Sequence, residues 1–288
     1  MKLPTRYLLP AIAALGMTAP AVANPGIWEV RDGDSAIWLF GSFHILPEGT
    51  AWRTALFDNV LGQADKVVFE TDIRPEAMSR VGADAFVRGV YTDGSMLTDT
   101  LPEGLEAQLR EKTEAIGMTM GMIQAMRPWM ATNAITVQAL AATGFSEQGV
   151  EFILQPDLSD DRLAFLESGD QQIEVLAGAP EDEQIAMLQS TLAELDTLPK
   201  QMDKMLRSWA EGTQERLAQM FLMEMGGFEE AFLDRLLYAR NRNWMAPIEA
   251  MLAENQENLV VVGAAHLIGD DSVLDLLERA GYEIERIQ

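Results

Sequence analysis

The sequence predicts an α/β fold with an α+β-like order: a mixed sheet built from N- and C-terminal strands, flanked by helices, with a helical insertion between them. Three observations predict it. Short apolar runs cluster near the start, at Ile27 to Val30, Ile37 to Phe43 and Val67 to Phe69, and another lies near the end, at Leu259 to Val262. Runs of this length, bounded by Gly, Pro or charged residues, read as buried strands. From about residue 76 to 255 the apolar residues recur mainly at helical spacing instead. The chain's 2 histidines, His44 and His266, each close a Gly-x-x-His frame directly after an apolar run. Strands, a block of helices, then strands is the order of a sheet assembled from both ends of a chain.

Taken in order, the first two apolar runs flank Arg31-Asp32-Gly33-Asp34-Ser35, and Asp-Gly between such runs signals a hairpin. Pro47-Glu48-Gly49 is a loop, and Leu56, Val60 and Leu61 mark a short helix over the sheet. Val67-Val68-Phe69-Glu70-Thr71-Asp72 is the next strand, in which Glu70 after three apolar residues reads as a ligand or as a surface-pointing Glu of an edge strand, and Pro75 stops it and opens the next helix. Pro102 begins a segment with Leu105 and Leu109 on one face. Met118 to Met130 is dense in methionine, which suits either plain packing or an adaptable groove. Pro128 fits the first turn of a helix running to about Ala142. Arg162 to Glu167 is a strand candidate that again ends in Glu, with Asp170 as cap of the following helix. Glu181 to Leu198 and Lys200 to Met225 read as a long helical pair, followed by an amphipathic helix over Phe228 to Tyr238. Arg240-Asn241-Arg242-Asn243-Trp244-Met245 breaks that pattern, and Pro247 predicts a bend or restart. It reads as a basic surface patch or as a pair of cations that hold an anion or an oxyanion. After Leu259 to Val262 come a helix over Asp271 to Ala280, a Gly281 cap and a last strand over Tyr282 to Ile287.

Composition narrows the function. The net charge of −24 argues against nonspecific binding to nucleic acid or to an anionic membrane surface. With Cys at 0, there is no disulfide framework, thiolate nucleophile or thiolate metal ligand. Lys2 and Arg6, the apolar Leu8 to Met17 and the small-x-small Ala21-Val22-Ala23 form a secretory leader over residues 1–23. The mature domain is then 24–288, exported to the periplasm or secreted, with no stable membrane span after cleavage.

Four apolar strand candidates end in a candidate ligand: His44, Glu70, Glu167 and His266. In open α/β sheets ligands bind at the carboxyl ends of strands, so parallel neighbours would bring all four to one rim. Two neutral imidazoles and a carboxylate suit a first-row divalent ion, with open positions for water and substrate. Such an ion activates water, and a second carboxylate can act as base. Gly41 and Gly263, with the Ala residues beside them, permit close backbone approach. The bland alternative is two core histidines that satisfy buried hydrogen bonds. A triad through Ser42 ranks low, since no Gly-x-Ser-x-Gly elbow is present.

These motifs resemble the TraB/GumN family of the Tiki-like metalloprotease superfamily. The matching stretches are GSFH at 41–44 after a hairpin, VVFETD at 67–72, RNRNWM at 240–245 and VVVGAAHLIGDDSVLDLLERAGYEI at 260–284. The resemblance implies a helix-flanked sheet and a metal-dependent peptidase using manganese or cobalt. It carries over to Gly41, His44, Glu70, Asn241, Gly263 and His266, with Arg240 in the family's Arg-Asn pair. Where members often carry Gly-Ile-Asp, this chain has Gly149-Val150-Glu151, an acid one methylene longer. The expectation is an exported metal-dependent hydrolase acting on a peptide or protein. His44 and His266 hold the ion, and Glu70 is third ligand or base. Asn241 and Arg240 orient or polarise the scissile carbonyl, and Glu167 is a secondary candidate. The alternatives are a non-catalytic binding or regulatory protein with the same fold, whose groove would be the Met118 to Met130 region, and, more weakly, an ester or glycoside hydrolase.

Overall fold

The computed structural model describes residues 23–288 apart from 34, 147 and 226–229. The expected leader therefore lies, Ala23 apart, outside the described residues. Its main element is a mixed sheet of six strands in the order β6-β4-β7-β2-β1-β8. These are β1 (Ile27–Arg31), β2 (Ala36–Ser42), β4 (Lys66–Phe69), β6 (Leu163–Phe165), β7 (Asn258–Gly263) and β8 (Glu283–Arg286). Two further short strands, β3 (Leu46–Pro47) and β5 (Phe145–Ser146), pair apart from it. The pairings β6-β4, β4-β7 and β7-β2 are all parallel, and β1 and β8 close the other side antiparallel. The insertion is thus not wholly helical, because β6 crosses back from it to become the sheet's edge.

The apolar runs are continuous because both faces of the sheet are covered. Trp38, Phe40, Val67, Phe69, Leu259 and Val261 point to one side, against Phe57 and Val60 of the helix Ala55–Gln63 and against Trp209. The alternate residues Ile37, Leu39, Val68, Val260 and Val262 point to the other, against Trp244, Ile248, Leu252, Val273 and Leu277. A satellite core holds the insertion together, with Leu105, Leu109, Ile135, Leu188 and Leu192 at its centre. The methionines Met118, Met120 and Met126 pack into this satellite core, as the packing reading expects.

Several helix boundaries differ from expectation for local reasons. Ser168, not Asp170, caps the helix Gly169–Ala177, in a capping box with Gln171. The expected helical pair is three helices, Glu181–Glu194, Leu198–Ala210 and Gln214–Met225. Pro199 fits the first turn of the second, and Gly212, at φ +68°, separates the last two. The largest departure follows. A π-helical turn over Asp234–Tyr238 runs directly into the helix Ala239–Ala253, which continues through Pro247. The Arg-Asn stretch therefore lies inside a continuous helix, not at a break.

One packing contact ties the insertion to the first histidine motif. Trp209 is fully buried, and its indole Nε1–H donates to the Gly41 carbonyl at 2.6 Å. Trp209→Phe keeps most of the packing but strands that carbonyl, and is expected to cost about 1–3 kcal/mol, read as a lower urea midpoint. An unchanged midpoint would mean that the carbonyl finds another donor.

Candidate metal centre

The four parallel strands point their carboxyl ends to one rim. Glu70 follows β4 directly, and Glu167 lies two residues past β6. His44 lies two residues past β2, and His266 sits on the 3-10 turn Ala264–Leu267 after β7. His44, Glu70 and His266 face one another there, and Glu167 reaches the same rim through Arg240. Both motif glycines are needed for space. A Cβ on Gly41 would stand 3.1 Å from the Ala264 Cα, and one on Gly263 would stand 2.9 Å from His44 Nε2.

The two imidazoles are held in matching ways. His266 Nδ1 is 2.6 Å from Asn241 Oδ1. The Asn241 amide is oriented by its own Nδ2, which donates to the Asp271 carbonyl at 2.9 Å. An oxygen on that side makes His266 Nδ1 the protonated nitrogen and leaves Nε2 unprotonated, as an acceptor. His44 Nδ1 is 3.1 Å from Glu151 Oε1. Each Nε2 then faces the same oxygen, Glu70 Oε1, at 3.8 Å from His44 and 3.7 Å from His266. An imidazole whose far nitrogen is anchored to an oxygen is the usual arrangement of a metal-ligating histidine.

Glu70 is the hub. Its Oε1 accepts from the Gly263 N–H at 2.7 Å, and its Oε2 accepts from Arg240 and from Gln172. Burial alone would raise its pKa, but His266, His44, Arg240 and the Gly263 N–H together bring it down to about 2. Burial is also the main influence on His266, pushing it down to about 3. Its ring is neutral at pH 7. The Glu151 carboxylate pulls His44 the other way, up to about 9. That side chain is 58% exposed, so water screens part of the effect.

Arg240 is 12% exposed and pairs with both Glu70 and Glu167. Its guanidinium lies 5.0 Å over the Trp244 ring, which in turn packs 4.4 Å from His266. Its Nη1 is 3.2 Å from His266 Nε2. An arginine has no lone pair to offer, so this N–H donates to the lone pair that a metal would take. Among the described residues no cluster of three or more His, Asp or Glu is already arranged as a metal cage. The Arg240 guanidinium stands against these donors.

Several expected roles change accordingly. Asn241 is 1% exposed and engaged with His266 and Asp271, so it positions a ligand and is not free to polarise a carbonyl. Glu167 pairs with Arg240 in place of facing the imidazoles. Arg242 pairs with Asp234 at the surface, so Arg240 alone brings its charge to the rim. The Ser42 hydroxyl donates to Glu151, which separates it from His44 and removes the triad geometry. The residue that sequence reasoning left out of the site is Glu151, 7% exposed, on the helix Val150–Leu154. Its signal was the acid after Gly149. A Cβ on Gly149 would collide with the His44 carbonyl, so this turn is pinned against the first histidine motif.

Stability of the metal-free protein should depend on pH with a definite sign. His266 falls from 6.5 to about 3 on folding, and Glu70 from 4.5 to about 2. In both cases the unfolded chain binds more protons, so stability is lost as pH drops from about 6.5 toward 3. His44 acts oppositely, losing its contribution as pH rises toward 9, with screening to weaken it. Urea midpoints in chelator should therefore decline from pH 7 to pH 4, and His266→Gln should flatten the part above pH 4.5. A flat wild-type profile would contradict the burial of a neutral imidazole.

Two clefts open onto this rim. One, about 440 Å³, is mainly apolar and reaches Ser42, His44, Arg240, Gly263 and His266. The other, about 490 Å³, is lined by Glu70, Thr71, Glu151, Phe152 and Gln172 among others. His44, Ile45 and Asn133 belong to both.

Residues 26–286 match the family model described as the TraB/PrgY/gumN family. No curated protein and no solved structure matches the chain.

Proposed function

Because the chain belongs to the TraB/PrgY/gumN family, we propose that it is a metal-dependent hydrolase of the peptidase kind, exported to the periplasm or secreted. The observation that carries this reading is the pair of imidazoles with anchored Nδ1 atoms and Nε2 atoms within 3.8 Å of one Glu70 oxygen. The donor set fits a divalent Mn, Co or Zn ion: His44 Nε2, His266 Nε2 and Glu70 Oε1. When bound, such an ion lowers the pKa of its water to about 7 and so supplies a nucleophile at neutral pH.

The chain's own groups do the rest. Asn241 keeps the His266 lone pair directed at the rim, and Glu151 holds the His44 ring with its Nε2 toward Glu70. Glu70 is ionised and offers its Oε1 as ligand or as acceptor of a proton from water. Arg240 lines the apolar cleft and would present its charge to a carbonyl bound there. The leader over residues 1–23 supports export, and no helix of the described residues is long and apolar enough to cross a membrane.

Metal content and calorimetry with manganese, cobalt and zinc test the proposal. The wild type is expected to bind one divalent ion, and His44→Ala and His266→Ala to lose it. Equal binding by both variants, or none by the wild type, would sink the reading. Asn241→Ala leaves the ligands in place and should weaken metal affinity about 10- to 100-fold. One observation favours a second reading, a binding or regulatory protein without turnover: Arg240 already satisfies His266 Nε2. A peptide library with and without manganese separates the two. Metal-dependent cleavage supports the hydrolase, and saturable binding without products supports the module.

A further inference from the structure

The helix Pro128–Ala141 turns one face to the apolar cleft. Asn133, Thr136, Val137, Leu140 and Ala141 recur at the i, i+3, i+4, i+7, i+8 spacing of a single helical face, and all five line the cleft. The opposite walls are apolar, including Phe145, Met202, Met205 and Leu237. Of the described lining residues, His44, Arg240 and His266 alone can carry charge, and all three belong to the metal centre. Among those described residues a charged side chain entering the cleft would lose its hydration without a partner away from that centre, which is costly. A neutral apolar one would be buried favourably. The thioethers of Met202 and Met205 can adjust to its shape.

Asn133 occupies the lip common to both clefts. It is exposed, and its amide has no hydrogen-bond partner among the described residues. A primary amide offers one acceptor and two donors, the complement of a peptide unit. His44, Ile45 and Asn133 line both clefts, so a peptide strand running from one into the other would pass them.

From this we infer that the apolar cleft is a specificity pocket. It takes a large uncharged side chain, Leu, Met or Phe, of the substrate residue flanking the scissile bond, while Asn133 holds that residue's backbone amide. The inference rests on the hydrolase reading above. At about 440 Å³ the cleft lies within the range that encloses small organic ligands, so a large side chain enters together with its backbone unit.

The test uses metal-free protein, so that the pocket is read independently of metal binding. The probes are N-acetyl-phenylalanine methylamide and its aspartate counterpart, titrated by heteronuclear NMR. Manganese affinity is measured separately. The phenylalanine probe should bind about tenfold or more tighter than the aspartate one. Val137→Trp, which fills the cleft, should weaken it by about tenfold or more. Asn133→Ala should weaken it by about fivefold. Manganese affinity should stay unchanged in both variants. Ala141→Trp, from an exposed position on the same face, blocks the cleft with less demand on the fold. Probe binding indifferent to both blocking variants would overturn the pocket. Equal binding of myristate, insensitive to Asn133→Ala, would overturn the peptide assignment. Probe binding that follows the variants in a protein that binds no manganese supports the pocket and removes the hydrolase reading.

Discussion

Arg240→Met is expected to cost the metal-free protein about 3–5 kcal/mol, a large share of the stability of a domain this size. Arg240, Glu70 and Glu167 are 12%, 7% and 6% exposed, so the variant strands two carboxylates beside each other with little water to solvate them. Loss of the contact over Trp244 adds to the cost. The Glu70 carboxyl should then titrate higher, since Arg240 is one of the charges holding it down. A bound divalent cation would replace part of the missing positive charge, so manganese should restore stability more in Arg240→Met than in the wild type. Urea unfolding with chelator and with manganese measures both effects, and Glu167→Gln in the Arg240→Met background should recover part of the loss. A cost below about 1 kcal/mol would mean that the pair of carboxylates is solvated after all.

Gly263→Ala should remove metal binding while leaving the fold intact. The added methyl would stand 2.9 Å from His44 Nε2 and 3.3 Å from Glu70 Oε1, inside the space between the donors. Because the His44 side chain is 58% exposed, it can swing outward and relieve the contact. Metal affinity is expected to fall by about a hundredfold or more, with little change in the urea midpoint. The other motif glycine gives the contrast. At Gly41 the added Cβ meets the Ala264 backbone at 3.1 Å, which cannot step aside, so Gly41→Ala should cost about 1–3 kcal/mol of stability. Calorimetric metal titration beside denaturation separates the two outcomes. If Gly263→Ala binds manganese as the wild type does, the donors do not share that space.

Much of this centre was legible because strand direction is encoded simply. An apolar run that ends in His or Glu delivers that side chain at the run's carboxyl end. Parallel pairing of β6, β4, β7 and β2 then gathers Glu167, Glu70, His266 and His44. The partners of those side chains were less legible. Glu151 reaches His44 from a one-turn helix too short to show any periodicity, and it arrives through a pinned turn at Gly149. Arg240 and Asn241 were visible as a cluster of unusual residues, but their roles depend on helical phase. The π-helical turn Asp234–Tyr238 alters that phase just before them. No residue count across the region reveals such a turn. The edge position of β6 also follows from pairing and not from pattern, since its residues Leu163–Phe165 are only half-buried.

The place of β7 in the sheet has a consequence for how the chain is made. It lies between β4 and β2, which do not touch each other, yet it is formed by residues 258–263. Until the ribosome has synthesised those residues, the early strands have no common neighbour, and each presents a bare hydrogen-bonding edge. In a nascent polypeptide of this topology those edges stay open to other pairings until late in translation.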